Sequence, residues 1–260
     1  MKLEAIQVGT ETISKLREVR REELRCQIIH YSWPGRGWTN DFLLTAAGRT
    51  VGYACVGGVR GEQKDIVSEF FLIPSARAKA RELFEKLIEA SGAEKVEGQT
   101  NDVFGTLQMF DFCERIESEA ILFHDAATTG MADPGAEFRR TTDADRERFP
   151  EEKREDVGEF LLAAGDEIVA HGGVLYHYNP PYGDVYMETV EGRRRRGFGA
   201  YLVQELKRTC YEGGRVPACR CNPKNLASRA TLQKAGFLPC ARLLVGTIAA
   251  EHRRGAKAEM

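Results

Sequence analysis

The sequence predicts an α/β (α+β) protein of two tandem domains, and three observations carry that prediction. The chain has 260 residues, a length that suits two domains of about 100–150 residues each. The run Phe42-Leu43-Leu44-Thr45-Ala46-Ala47-Gly48 recurs as Phe160-Leu161-Leu162-Ala163-Ala164-Gly165, 118 residues later, which marks an internal repeat. The elements that follow each copy come in the same order: strand, strand, helix, strand.

Taken along the chain, Thr10 to Ile29 reads as a charged helix and His30 to Trp38 as an aromatic loop, either lining a pocket or forming a turn over two partly buried Trp side chains. Val51 to Val56 and Glu69 to Ile73 read as strands, Leu83, Phe84, Leu87 and Ile88 mark one face of a helix, and Lys95 to Asn101 is a further strand. Asp125 to Gly135 is small, polar and interrupted by Gly and Pro, so it reads as a linker. The expected organisation is a first domain over 1–126, a linker over 127–136, a second domain over 137–250 and a flexible tail over 251–260. In the second domain, Glu137 to Thr142 is a strand. Asp143 to Asp156 has room for two short helical turns at most, at about 1.5 Å per residue, and Pro150 interrupts even those. A strand begins near Val157, and Arg215 to Asn222 is another.

The most informative stretch is Thr189-Val190-Glu191-Gly192-Arg193-Arg194-Arg195-Arg196-Gly197-Phe198-Gly199. It joins a strand-like segment to an amphipathic helix whose apolar face is Leu202, Val203, Leu206 and Cys210. The first N–H groups of a helix have no internal partner and carry the positive end of its dipole, so a helix starting near Phe198 is a place to hold phosphate. Four arginines alone would fit a solvated face or a nucleic-acid patch. The run ends in Gly-x-Gly at a strand-to-helix junction, however, which a basic patch does not require.

The junction resembles the acyl-CoA-binding motif of the GNAT acetyltransferase superfamily, Arg/Gln-x-x-Gly-x-Gly/Ala, here Arg194 to Gly199. Downstream, Asn225-Leu226-Ala227-Ser228 opens a helix that closes with Gly236-Phe237, similar to the superfamily's second block. The resemblance covers roughly residues 157–250 and implies two tandem GNAT-like domains, each a mixed twisted sheet flanked by helices. It implies acetyl-CoA as cosubstrate, with the diphosphate on the N–H groups of Arg195, Arg196, Gly197, Phe198, Gly199 and Ala200. Arg194 begins the motif, Thr189 and Val190 meet the pantetheine arm along the strand edge, and Asn225 with Ser228 completes the site. No metal is implied. The first copy departs from the pattern, because Pro74 to Ala80 replaces the glycine loop; it is read as a degenerate domain that holds no acyl-CoA and serves structure or acceptor binding.

The implied reaction is direct transfer of an acetyl group to a primary amine, which needs a neutral amine, a stabilised oxyanion and a proton for the leaving thiolate. The Val190 N–H is the expected oxyanion donor. Period-two alternation sends Asp184, Tyr186 and Glu188 to one face of their strand. Glu188 is the first candidate base and Asp184 the second; the alternative is that Glu188 only neutralises the arginines. The family's general-acid Tyr position holds Leu232, leaving Tyr176, Tyr178, Tyr182 and His177 as substitutes, while His171 reads as a half-exposed residue. A noncatalytic acyl-CoA-binding regulator is the competing function. The acceptor, a small-molecule or peptide amine, is expected in a cleft between the domains.

Composition weighs against other classes, and any nucleic-acid role would have to be local, through Arg193 to Arg196. Lys+Arg 37 against Asp+Glu 39 lacks the basic excess of a nucleic-acid-binding domain. No run approaches the about 18 apolar residues of a membrane span, and no signal-peptide core follows Met1-Lys2-Leu3-Glu4. The seven cysteines are scattered without metal spacing and read as reduced thiols of a cytoplasmic protein. An oligomer is left open.

Overall fold

The computed structural model describes residues 1–253. The chain forms two compact units, Met1–Ala120 completed by the chain from Ala241 onward, and Ile121–Cys240. In order, the elements are β1 (Leu3–Val8), α1 (Thr10–Leu24), β2 (Thr39–Ala46), β3 (Arg49–Gly57), β4 (Ile66–Leu72), α2 (Ala80–Ser91), β5 (Lys95–Gln99), α3 (Val103–Phe112) and β6 (Cys113–Asp125). The second half gives β7 (Glu137–Arg140), α4 (Asp143–Glu147), β8 (Phe160–Ala164), β9 (Glu167–Leu175), β10 (Tyr182–Thr189), α5 (Phe198–Glu212), β11 (Val216–Cys221), α6 (Leu226–Lys234) and β12 (Phe237–Ile248).

In the first unit the strands run β1-β2-β3-β4-β5-β12, all antiparallel except the β4–β5 pair. Alternation along each strand sends Phe42, Leu44, Ala54, Val56, Phe70 and Leu72 against α2, which contributes Leu83, Phe84, Leu87 and Ile88 at helical spacing. Ile13 of α1 packs with Tyr53, Cys55 and Phe71 on the other face. The predicted helix to Ile29 stops at Leu24, where Arg25 turns left-handed at φ 48°. Trp33 is buried on the His30 ring at 3.9 Å and Trp38 is half-buried under Arg36, so the aromatic loop packs as a turn on its own unit.

The second unit repeats the order as β7-β8-β9-β10-β11-β6, with only β10–β11 parallel. Its core joins Phe160, Leu162, Val169, Ala170 and Val185 of the sheet to Leu202, Val203, Leu206 and Cys210 of α5, the four residues that predicted that helix. The short segment after β7 holds α4, capped by a reciprocal pair between Thr142 and Asp145, and one further turn at Glu151–Lys153, as the length allowed.

Two expected boundaries are corrected. Residues 127–136 are built into the second unit: the Met131 N–H donates to Gln204 Oε1 at 2.8 Å, Lys207 Nζ donates to the Ala127 carbonyl at 2.7 Å, and Ala136 lies in the core. Residues 241–250, expected in the second domain, belong to the first unit, because Leu243–Thr247 of β12 pair with β5. The predicted tail over 251–260 lies outside the described residues from position 254 onward. No described helix is long and apolar enough to cross a membrane.

Candidate active site

The site of the second unit begins where two parallel strands part. β10 and β11 are in register only at Tyr182↔Val216, Gly183↔Pro217 and Asp184↔Ala218; from Val185 on, β10 pairs with β9 alone. The Val190 N–H donates to the Val169 carbonyl at 3.0 Å. In an antiparallel ladder the backbone groups alternate sides, so Val190 and Glu188 face β9 while Thr189 and Met187 direct N–H and C=O into the gap. The expected oxyanion donor is thereby corrected: the Val190 N–H is held within the sheet, and the free donors on this edge are those of Thr189 and Met187.

At the end of the gap stands the start of α5. Gly197, its N-cap, has φ 88°, a conformation L side chains rarely adopt. Arg195 is left-handed too, at φ 63°, an uncommon state for a residue with a Cβ and one that clusters at functional sites. Among the described residues, no group accepts from the N–H of Arg195, Arg196, Gly197, Phe198, Gly199 or Ala200; the first helical bond is Tyr201 N–H to Gly197. These donors and the helix dipole form an anion cradle. The Arg194, Arg195 and Arg196 side chains are exposed around it, with Arg194 Nε donating to the Thr189 carbonyl at 3.4 Å, and Arg193 is engaged with Glu167.

The cleft holds about 690 Å³ and is walled by Met187, Glu188 and Thr189 on β10, by Arg193 to Arg195 and Gly197 to Ala200 around the α5 start, and by Asn225, Ser228 and Thr231 on α6. Asn225 acts first as a cap: its Oδ1 accepts from the Ser228 N–H at 3.0 Å, fixing the α6 terminus against the cleft. Of the sequence-predicted residues, Val190, Arg196 and Asp184 do not line it. A Cβ on Gly199 would lie 2.9 Å from Thr189 Oγ1 and 3.3 Å from both Met187 Cε and Thr231 Cγ2, so a side chain there must push these side chains aside. Gly199→Val should therefore weaken acetyl-CoA binding by about 100-fold, the loss of one or two charge-assisted bonds at about 1.5–3 kcal/mol each. Arg193→Ala, which breaks only a surface pair, should change it by less than about 5-fold. Calorimetry that found the two variants equal would refute the cradle.

The carboxylates occupy different surroundings. Glu188 is exposed on the cleft wall, opposite His171 on β9. His171 is buried, not half-exposed, and Leu232 at the family's Tyr position lies in the core at 4 % exposure. Asp184 is buried at the apex of the gap, with His177 Nε2 at 3.4 Å and Arg220 Nε at 3.9 Å. Burial pushes its carboxyl up to about 6, against the opposing pull of Arg220 and of the nearby Tyr178 hydroxyl, which lies beside it without full hydrogen-bond geometry. Because the folded-state value is raised, the stability associated with this group is intact below about pH 4 and is lost as pH rises through about 6. Asp184→Asn should gain on the parent by roughly 2–3 kcal/mol between pH 4 and pH 7.5. Denaturant unfolding at the two pH values tests this, and a constant difference would contradict the burial cost.

In the first unit the equivalent strands part after Val67↔Val96, but the Arg20 side chain of α1 reaches in there. Arg20 reaches Asp102 at 2.8 Å and Glu69 at 3.6 Å, all three side chains nearly inaccessible. The remaining cavity is about 30 Å³, room for a water molecule. A short 3₁₀ helix, Pro74–Lys79, replaces the glycine loop. No described cluster of three His, Cys, Asp or Glu side chains could hold a metal ion.

Comparison with known proteins agrees with this geometry. The model of the acetyltransferase (GNAT) family matches residues 124–237. An acetyltransferase of the GNAT family from Colwellia psychrerythraea is similar in fold, with 15% identity over 96% of this chain and 100% of its own and a TM-score of 0.69. A GCN5-related N-acetyltransferase from Sphaerobacter thermophilus shows 14% identity over 94% of each chain, TM-score 0.57. A tandem GNAT protein from the clavulanic acid biosynthesis pathway shows 12% identity over 94% and 97%, TM-score 0.55. A search of curated proteins finds no match. Residues 124–237 are thus similar to the acetyltransferase (GNAT) family, within a chain that has the fold of two tandem GNAT-like domains. Enzymes of that family use acetyl-CoA as cosubstrate.

Proposed function

We propose that the protein transfers the acetyl group of acetyl-CoA to a primary amine, by direct attack and in the second unit alone. The observation that carries this reading is the opening of β10 from β11 onto the unsatisfied N–H groups of the α5 start. The diphosphate would sit on the amides of Arg195 to Ala200, and the pantetheine arm would pair with the gap-facing groups of Met187 and Thr189. The Thr189 N–H would then stabilise the developing oxyanion. Glu188, the carboxylate on the cleft wall, would take the amine proton directly or through a water. As the C–N bond forms and the C–S bond breaks, the thiolate leaves; with a thiol pKa near about 8.5 it needs no dedicated acid. Seven free thiols support a reducing compartment, the cytoplasm.

A panel of small amines and peptide N-termini, read by release of free CoA thiol, tests the reading. Turnover that Glu188→Gln reduces at least about 100-fold is the expected result. Binding with no turnover on any amine would favour the noncatalytic acyl-CoA regulator, the second reading, which the apolar Leu232 supports. Stoichiometry by calorimetry should be one acetyl-CoA per chain, because Arg20 and the Pro74–Lys79 helix close the first unit's gap. A value of two would overturn the degenerate-copy assignment.

A further inference from the structure

His171 is the one buried titratable group directly across a strand pair from the proposed base. Glu188 and His171 are register partners on β10 and β9, which puts their Cβ atoms about 5.5 Å apart on the same face. The ring is fixed on two sides. The Gly158 N–H donates to His171 Nδ1 at 3.2 Å, and the Phe149 ring meets its face edge-on at 5.3 Å. An Nδ1 that accepts from an amide holds its lone pair there, so in the neutral ring the proton is on Nε2. Burial holds the ring neutral by pushing its pKa below the ordinary value, with Glu188 pulling up, Arg146 of α4 pushing down and Asp156 pulling up.

We infer that His171 is a positioning residue for Glu188, presenting a fixed Nε2–H that donates to the carboxylate, directly or through one water. The inference rests on Glu188 being the base. In this tautomer His171 cannot relay protons: Nδ1 is occupied by Gly158 and Nε2 already carries hydrogen. Its effect is to orient the carboxylate, and a hydrogen bond donated to a carboxylate favours the form that accepts a proton. Arg146 and Asp156 also face the ring, so the predicted shift is defined against variants that leave both in place.

Two near-isosteric replacements separate this role from a structural one. His171→Asn keeps an acceptor where Nδ1 stands and has no atom at Nε2; His171→Gln keeps a donor at Nε2 and leaves the Gly158 N–H unsatisfied. The inference expects His171→Asn to move the acidic limb of kcat/KM upward by about one pH unit while His171→Gln leaves it within about 0.3. A merely structural histidine gives the opposite ranking, since only Asn retains the Gly158 bond, and that ranking, or no shift in either, overturns the inference. The second readout needs no turnover: in nitrogen-15 NMR of the free full-length protein, Glu188→Gln should move the His171 Nε2 signal and leave Nδ1 in place, and an unmoved Nε2 also overturns the role. If Glu188→Gln leaves both rate and acidic limb unchanged, the base assignment fails instead, and the two failures are told apart.

Discussion

A chain ended after Cys240 loses the cooperative unfolding of its first unit. The missing half of β12 pairs with β5 from Leu243↔Gln99 to Thr247↔Lys95, and it carries Leu243, Leu244 and Ile248, each 9 % exposed or less. Three buried aliphatic side chains at about 1.5–3 kcal/mol each come to roughly 5–9 kcal/mol. That is comparable to the whole stability of a small domain, about 5–15 kcal/mol. Truncation also leaves β5 as an open edge able to pair with other chains. Both tryptophans, Trp33 and Trp38, lie in this unit, so urea unfolding followed by Trp fluorescence reports on it selectively. An unchanged midpoint in the truncated chain would show that the strand is dispensable.

Lys207→Met should destabilise the second unit by about 3–5 kcal/mol, the range for removing one partner of a buried ion pair. Lys207 is 4 % exposed, and its ammonium lies 2.6 Å from Asp125 Oδ1 while donating to the Ala127 and Ala235 carbonyls, each at 2.7 Å. Asp125 in turn accepts from the Tyr211 hydroxyl at 2.6 Å. Methionine has the length but none of the three donors, so the buried Asp125 carboxylate and the Ala235 carbonyl are left without a cation. Adding Asp125→Asn to Lys207→Met should restore part of the loss, because it removes the stranded charge. Urea midpoints by far-UV circular dichroism measure all three variants. A Lys207→Met loss under about 1 kcal/mol would mean that water reaches the pair.

Local chemistry was legible in the sequence, and long-range pairing was not. The α5 start, the Asn225 cap and the carboxylate face of β10 follow from glycine placement, capping preference and period-two alternation, each confined to a few neighbouring residues. The Val190 N–H misled for a different reason: alternation tells which face a side chain takes, but the neighbour that accepts an N–H depends on β9, which is distant in sequence. Residues 127–136 have the composition of a linker, yet Lys207 and Gln204 bind them from α5, some 70 to 80 residues on. His171 carried no pattern of its own; its meaning comes from facing Glu188. The allegiance of β12 was hidden too, since nothing in Leu243-Leu244-Val245 says which sheet it completes.

That allegiance has a consequence during synthesis. The ribosome delivers β5 early and its partner segment of β12 only after the whole of Ile121–Cys240 has been made. At about 5–20 residues per second, those intervening residues take roughly 6–24 s to translate. For that interval the first half of the nascent chain has five of its six strands and a bare β5 flank. The first unit therefore completes its sheet only after every strand of the second unit has been made.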